Sequence, residues 1–372
     1  MFYRYSLLLS SVPILCAMAA VAQKSETLRI NQIQVIGTHN SYHAGFAPSA
    51  AKLWQTRNPA AFDGLDYRHP PLPEQLSSGV RQIELDVFAD SKGGRYAHPA
   101  GDAMIAAAHL PPDPPFDPDG VMEKPGFKVM HMQDIDYRST CQPFTACLEE
   151  VRKWSHEHPH HIPIFILVET KQQPPRPGSQ VTVPEPFTSE VFDALDAEIR
   201  SVFPPSELIT PDDVRGKYAT LNEAVLAGNW PTLESARGKV VFLMDQRPVG
   251  PVYLAGHPSL RGRVLFTNAE AGQPDAAFIE CNDGPASEIT DLVRQGYLVR
   301  TRTDADTKEA RTNSTARRDA MIASGAQILS TDYPVNEPAR WPGHYVVILP
   351  GDSPARANPV NAPASLHGKA FQ

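Results

Sequence analysis

Two carboxylates spaced two residues apart, Glu84 and Asp86 in Ile83-Glu84-Leu85-Asp86-Val87, lie in a run apolar enough to be a strand. Alternate strand positions share a face, so both acids point the same way. On an interior face two unpaired acids are costly, and a bound cation is the simplest compensation. Upstream, an apolar run containing Ile33, Val35 and Ile36 empties into Gly37-Thr38-His39-Asn40-Ser41-Tyr42-His43, which sets a proton-transfer group beside an oxygen ligand. Downstream, Val129-Met130-His131 and Val168-Glu169-Thr170-Lys171 end two further apolar runs on polar residues. Asn40, Glu84, Asp86 and Glu169 are hard oxygen ligands suited to Ca2+, with Mg2+ as the alternative, and His39 and His131 are left to act as base and acid. A metal against a non-bridging phosphate oxygen draws charge from phosphorus, so the set implies phosphodiester cleavage.

Each residue has a structural reading when taken singly. Glu84 and Asp86 could be salt-bridged, His131 could be a core histidine, and Glu169 with Lys171 could be an ordinary ion pair. Their order at the ends of four successive strands is what favours a site. Eight short apolar runs recur with helical patterns or long loops between them, at 33–38, 81–88, 127–131, 162–169, 239–244, 263–267, 297–302 and 326–330. That alternation predicts a single α/β domain, a (β/α)8 TIM barrel. Helices are expected near 73–78, over 144–157, along the stripe Val191, Phe192, Leu195, Ile199 and Val202, around Ile289, Leu292 and Val293, and over 316–323. After the second strand, 98–125 contains Pro111-Pro112-Asp113-Pro114-Pro115-Phe116-Asp117-Pro118, which reads as a long proline-rich loop. Its apolar residues Met104, Ile105, Leu110 and Phe116 either touch lipid or pack beneath the loop.

The chain opens with Arg4, runs apolar over 7–21 and presents Ala20-Val21-Ala22, the pattern of a signal peptide over 1–22 with cleavage after Ala22. The barrel domain is expected over 23–350 and a flexible tail over 351–372. No later stretch has the length of a transmembrane segment. The expected localisation is therefore secreted, in an oxidising compartment where Cys141 and Cys147 read as a local disulfide and Cys281 is left over. The formal net charge is -8, which becomes -9 once Arg4 leaves with the signal, and nothing resembles the basic footprint of a nucleic-acid partner.

At this point the sequence resembles a known family. His39-Asn40, Glu84-Leu85-Asp86, His131 and Glu169 look like the active-site pattern of metal-dependent phosphoinositide-specific phospholipases C, and the secreted bacterial calcium-dependent type is the most similar. The resemblance covers roughly 33–171 with specific motifs, and the second half through barrel rhythm and Ser330-Thr331-Asp332-Tyr333-Pro334. It implies Asn40, Glu84, Asp86 and Glu169 around Ca2+, with His39 and His131 as the catalytic pair. It also implies attack by the inositol 2-hydroxyl on phosphorus, and a cyclic inositol phosphate with diacylglycerol as first products. Lys171, Arg302 and Asp332, at strand ends, are expected to contact the headgroup. The implied partner is a phospholipid, with transient contact at a membrane surface. Glycerophosphodiester phosphodiesterases of the wider superfamily share the H, E-x-D, H and E-x-K order, and a secreted calcium-binding module without turnover is the non-enzymatic alternative.

Overall fold

The computed structural model describes residues 27–178, 180–351 and 353–372. The signal segment 1–22 and its cleavage site lie outside them. The barrel strands are β1 (Ile33–Thr38), β2 (Gln82–Phe88), β3 (Ile164–Thr170), β4 (Val240–Met244), β5 (Leu265–Phe266), β6 (Phe278–Glu280), β7 (Leu298–Arg302) and β8 (Ile328–Thr331). Each pairs in parallel with the next and β8 returns to β1, so the sheet curls into the expected barrel. The thinnest place is between β5 and β6, joined by one parallel bridge from Asn268 to Phe278.

A parallel strand covered on both faces must be apolar along its length, and Ile164 to Val168 are all buried. The covering helices Phe144–Glu157 and Ser189–Val202 bury stripes at helical spacing: Phe144, Cys147, Leu148 and Val151 on one, Phe192, Leu195 and Ile199 on the other. Gly37 is required by the close approach of β1 to β2, since a Cβ there would lie 2.0 Å from Gln82 Oε1. A disulfide joins Cys141 to Cys147 with Cα atoms 5.3 Å apart, and Cys281 is a buried free thiol.

Four expectations are corrected. The run 127–131 is not a barrel strand: only Lys128–Val129 pairs, antiparallel, with Phe88 and Val87. The reason lies in β1, which meets β2 at Gly37 and Gln82 and then ends, leaving the far half of β2 an open edge on that side. The true eighth member, β6, is three residues long, too short to stand out from its surroundings in the sequence. Within 98–125 a helix, Ala100–Ala107, precedes the proline run, and Ile105 packs with Ala50 and Leu53 while Met104 and Leu110 lean on the same cluster. Phe116 packs against a second small cluster with Phe88 and Tyr137, so these residues serve the interior. The stretch expected as a free tail folds back, with Ala355–Ala357 running antiparallel to β1 and Asn358 buried.

Away from the barrel mouth, His161 is buried with its Nδ1–H donated to the Ile162 carbonyl at 2.6 Å and its Nε2 accepting from Ser155 Oγ at 2.7 Å. Those bonds need the neutral ring. Burial, with the charges of Arg81 and His158 adding to it, pushes His161 down to about 4. The unfolded chain protonates this ring near pH 6.5, so the unfolded state binds more protons between 6.5 and 4. The stabilisation is full above pH 6.5 and is lost as the pH falls towards 4, a loss of up to about 3 kcal/mol. Denaturant titrations across this window should show that slope, and His161→Phe should flatten it. An unchanged slope in the variant would refute the assignment.

Candidate active site

The barrel register brings the site together. Asp86 on β2 stands opposite Glu169 on β3, and Glu84 lies two residues earlier on the same face as Asp86. One carboxylate oxygen from each of Glu84, Asp86 and Glu169 falls within 4.8 Å of the others. Past the end of β1 the chain follows β2, with Ser41 N donating to the Glu84 carbonyl at 3.1 Å and Ser41 Oγ accepting from Glu84 N at 2.7 Å. Beyond that contact, Met130 N donates to the Asp86 carbonyl at 3.2 Å. The open edge of β2 is thus filled first by the His39 segment and then by the His131 segment. His131 reaches the site by this route and not as the end of a barrel strand.

Two histidine–aspartate pairs flank the acids. His39 donates from Nδ1 to Asp332 Oδ1 at 2.8 Å, and its Nε2 lies 3.8 Å from Glu84 Oε1. His131 donates from Nδ1 to Asp136 Oδ2 at 2.9 Å, and its Nε2 has no protein partner among the described residues. Both imidazoles are 18% exposed, while Asp332 and Asp136 are buried. Burial holds His39 well below its ordinary value, helped by Arg302 and Arg300, and burial also lowers His131. Burial alone would lift Asp136, but the charges and N–H groups of His43 and His131 hold it well below the usual carboxylate range. His43 donates from Nε2 to the same Asp136 carboxylate at 2.9 Å.

Asn40, at a positive φ of 46°, donates from Nδ2 to the Tyr67 hydroxyl at 2.8 Å, and its Oδ1 accepts a long 3.4 Å bond from Tyr42. Tyr67 also lies 3.2 Å from His39 Nδ1, tying Asn40 to the His39 pair. Lys171 Nζ stands 3.0 Å from both Asp86 Oδ2 and Glu169 Oε1. Arg302 reaches Asp332 at 3.5 Å. Asp332, expected as a headgroup contact, is therefore engaged by His39. Arg300 is fully buried in the barrel, bonded to Glu84 Oε2 at 2.5 Å, Glu280 at 2.7 Å and Ser330 at 3.0 Å.

The acids fit a hard cation. Neither oxygen of the buried Asp86 accepts a well-directed hydrogen bond, because Lys171 lies off the line of one. Burial pushes Asp86 well up, with Glu169 adding and Lys171 opposing, and burial raises Glu84 to about 7 although Arg300 opposes it. The buried Glu84 and Asp86 and the partly exposed Glu169 share one ammonium and a guanidinium also claimed by Glu280, an imbalance that a divalent cation would offset. A cavity of about 1110 Å³ opens beside the site, with Tyr67 and Asp332 in its lining but none of the three acids. The convergence of side chains, not that cavity, defines the site.

All nine residues singled out in the sequence thus belong to one neighbourhood. Sequence reasoning missed Asp136, Tyr67, His43 and Arg300 as supports. Arg300 carried a signal, since it alternates with Arg302 on β7 as Glu84 does with Asp86 on β2. Tyr67 and Asp136 carried none, being loop residues whose partners are set by chain folding.

Comparison with known proteins bears on the family and the fold. The sequence profile of the family described as phosphoinositide phospholipase C, Ca2+-dependent, matches residues 28–359. No curated protein shows a significant match. Among solved structures, the calcium-dependent phosphoinositol-specific phospholipase C of a Gram-negative Pseudomonas species is 17% identical, covering 90% of this chain and 96% of that one, with a TM-score of 0.54. The Ca2+-dependent phosphatidylinositol-specific phospholipase C of Streptomyces antibioticus is 18% identical, covering 82% and 95%, with a TM-score of 0.50. Both likenesses bear on the fold.

Proposed function

Because the chain belongs to the Ca2+-dependent phosphoinositide phospholipase C family, we propose that it cleaves phosphatidylinositol or a close relative to diacylglycerol and a cyclic inositol phosphate, with His39 and His131 exchanging the protons. Membership makes it a phosphodiester-cleaving enzyme with Ca2+ as its cofactor. Asn40, Glu84, Asp86 and Glu169 would hold the ion. Bound there, Ca2+ would supply positive charge to the reacting phosphate and would favour ionisation of the attacking hydroxyl.

The chain's own residues do the rest. Asp332 and Asp136 each take the Nδ1–H of one catalytic imidazole, which fixes the tautomer and leaves Nε2 to work. One Nε2 accepts the proton of the inositol 2-hydroxyl as its oxygen bonds to phosphorus. The other gives a proton to the diacylglycerol oxygen as its bond to phosphorus breaks. Lys171 and Arg302 supply positive charge to the headgroup, and Asp332 orients His39 while facing the same space. The observation that carries this reading is the pair of histidine–aspartate couples on either side of three converging carboxylates.

Purified protein incubated with phosphatidylinositol should release diacylglycerol and a cyclic inositol phosphate with calcium and not with chelator. Release of choline or glycerol from glycerophosphodiesters, with phosphatidylinositol left intact, would overturn the substrate assignment.

Export is part of the proposal. It is supported by the apolar run at 7–21 ahead of Ala22 and by the Cys141–Cys147 disulfide, which suits an oxidising compartment. Among the described residues no helix is long and apolar enough to cross a membrane.

A further inference from the structure

We infer that His43 is a positioning residue for His131: it holds the Asp136 carboxylate in one orientation and so fixes the ring that works at Nε2. The inference rests on the catalytic role proposed above for His131. Asp136 has to point at that ring, and its own segment secures only part of this. The main chain is pinned, since Asp136 and Met132 exchange N–H and carbonyl at 3.0 Å in both directions. The side chain keeps its own rotation, and His131 Nδ1 reaches one of its oxygens, Oδ2, at 2.9 Å. His43 Nε2 supplies the second hold, 3.0 Å from Oδ1 and 2.9 Å from Oδ2.

Both partners are shut away from bulk solvent, the imidazole of His43 at 0% exposure and the carboxylate of Asp136 at 1%. Without the His43 N–H, Oδ1 would be a buried carboxylate oxygen with its donor gone. The carboxylate would then turn or take up a proton, and either change loosens its grip on the His131 Nδ1–H. An imidazole whose second nitrogen loses its anchor loses both its ring orientation and its single tautomer.

The His43 ring is itself set from several sides. Its main chain forms an antiparallel bridge with Ser139, and beside it Thr140 N donates to the Tyr42 carbonyl at 2.8 Å. The ring lies 4.8 Å from that of Tyr67 and edge-on to that of His131 at 6.2 Å. His69 closes the loop behind it, its backbone N–H donating to the His43 carbonyl at 2.9 Å and its Nε2 to the His39 carbonyl at 3.0 Å. His39 and His43 are thus held in one short loop, while His131 and Asp136 belong to another. The bond from His43 to Asp136 ties the loop of one catalytic histidine to the side chain that aims the other, and so sets the spacing of the two working nitrogens.

The test separates positioning from plain stability. His43→Phe keeps a ring and removes the N–H, whereas His43→Gln puts an amide N–H near the place of Nε2. On phosphatidylinositol with calcium, His43→Phe should lower kcat about 10–100-fold with KM little changed, and His43→Gln should restore most of the rate. In the His131→Ala chain, His43→Phe should cost about twofold or less, because the ring it positions is gone; a structural role would slow both backgrounds alike. Nitrogen NMR of the substrate-free protein, with the His131 signals assigned by their loss in His131→Ala, should show a protonated Nδ1 and a bare Nε2 in the native and Gln chains. The Phe chain should show a mixture of tautomers. If it does not fold, His43→Asn, too short to reach Asp136, takes its place, and failure of both to fold would make His43 a structural residue and overturn the assignment. A native kcat in the chain lacking the N–H, an equal loss in the His131→Ala background, or a native His131 spectrum would overturn it too. If the native chain leaves phosphatidylinositol uncut, the phosphoinositide reading fails, while the spectra still decide the positioning.

Discussion

His39→Ala and His131→Ala are each expected to cut kcat on phosphatidylinositol by about 10²–10⁴-fold, with calcium affinity unchanged. Both imidazoles stand outside the carboxylate triad and both spend Nδ1 on a buried aspartate, so what each substitution removes is one working Nε2. The two losses separate with a substrate whose leaving group is an aryl oxide, which departs without a proton. The variant lacking the general acid should regain most of its rate on that substrate, and the variant lacking the base should not. This assigns the roles by experiment, which two similarly built histidine–aspartate pairs do not do by geometry. A double variant should fall well short of the product of the single losses, because the pair acts on one transition state. Intact rates in both single variants would remove the catalytic assignment.

How much of this was legible beforehand can be judged from particular residues. The Glu84 and Asp86 alternation needed only the period of a strand, and Glu169 needed only the end of an apolar run; both hold because local pattern fixes them. His131 lies beside the acids but reaches them by another route than a barrel strand. Its segment reads as a strand, and no local pattern says that β1 stops early and leaves β2 an open antiparallel edge. Three-residue β6 lies below the length at which periodicity speaks, although its Glu280 binds the buried Arg300. Tyr67 and Asp136 are invisible for another reason. Tyr67 meets Asn40 from 27 residues away, and Asp136 is defined by two histidines, one of them 93 residues upstream. The returning strand Ala355–Ala357 was hidden by its setting of Pro, Ala and Gly, a composition that reads as tail until β1 offers it an edge.

The cation can be separated from the rest of the machinery at Asp86. This carboxylate is fully buried, has no well-directed hydrogen bond, and sits beside Glu169 with only Lys171 to oppose the repulsion. Without a cation its charge is a cost to folding, because a buried acid so poorly paired is desolvated with little return. Asp86→Asn keeps the shape and removes the charge. In chelator the variant should therefore melt at or above the native temperature, which a merely structural acid at the centre of a barrel would not allow. Calcium should raise the melting temperature of the native chain, by the equivalent of about 2.7 kcal/mol at a hundred times its dissociation constant, and should do far less for the variant. Activity should drop by about a hundredfold or more, since a metal's charge on the phosphate is worth several kcal/mol in such transition states. Thermal melts with and without calcium, beside rates on phosphatidylinositol, read all three quantities. A variant that melts lower in chelator yet keeps the full calcium shift would mean that Asp86 pairs within the protein and that the ion binds elsewhere.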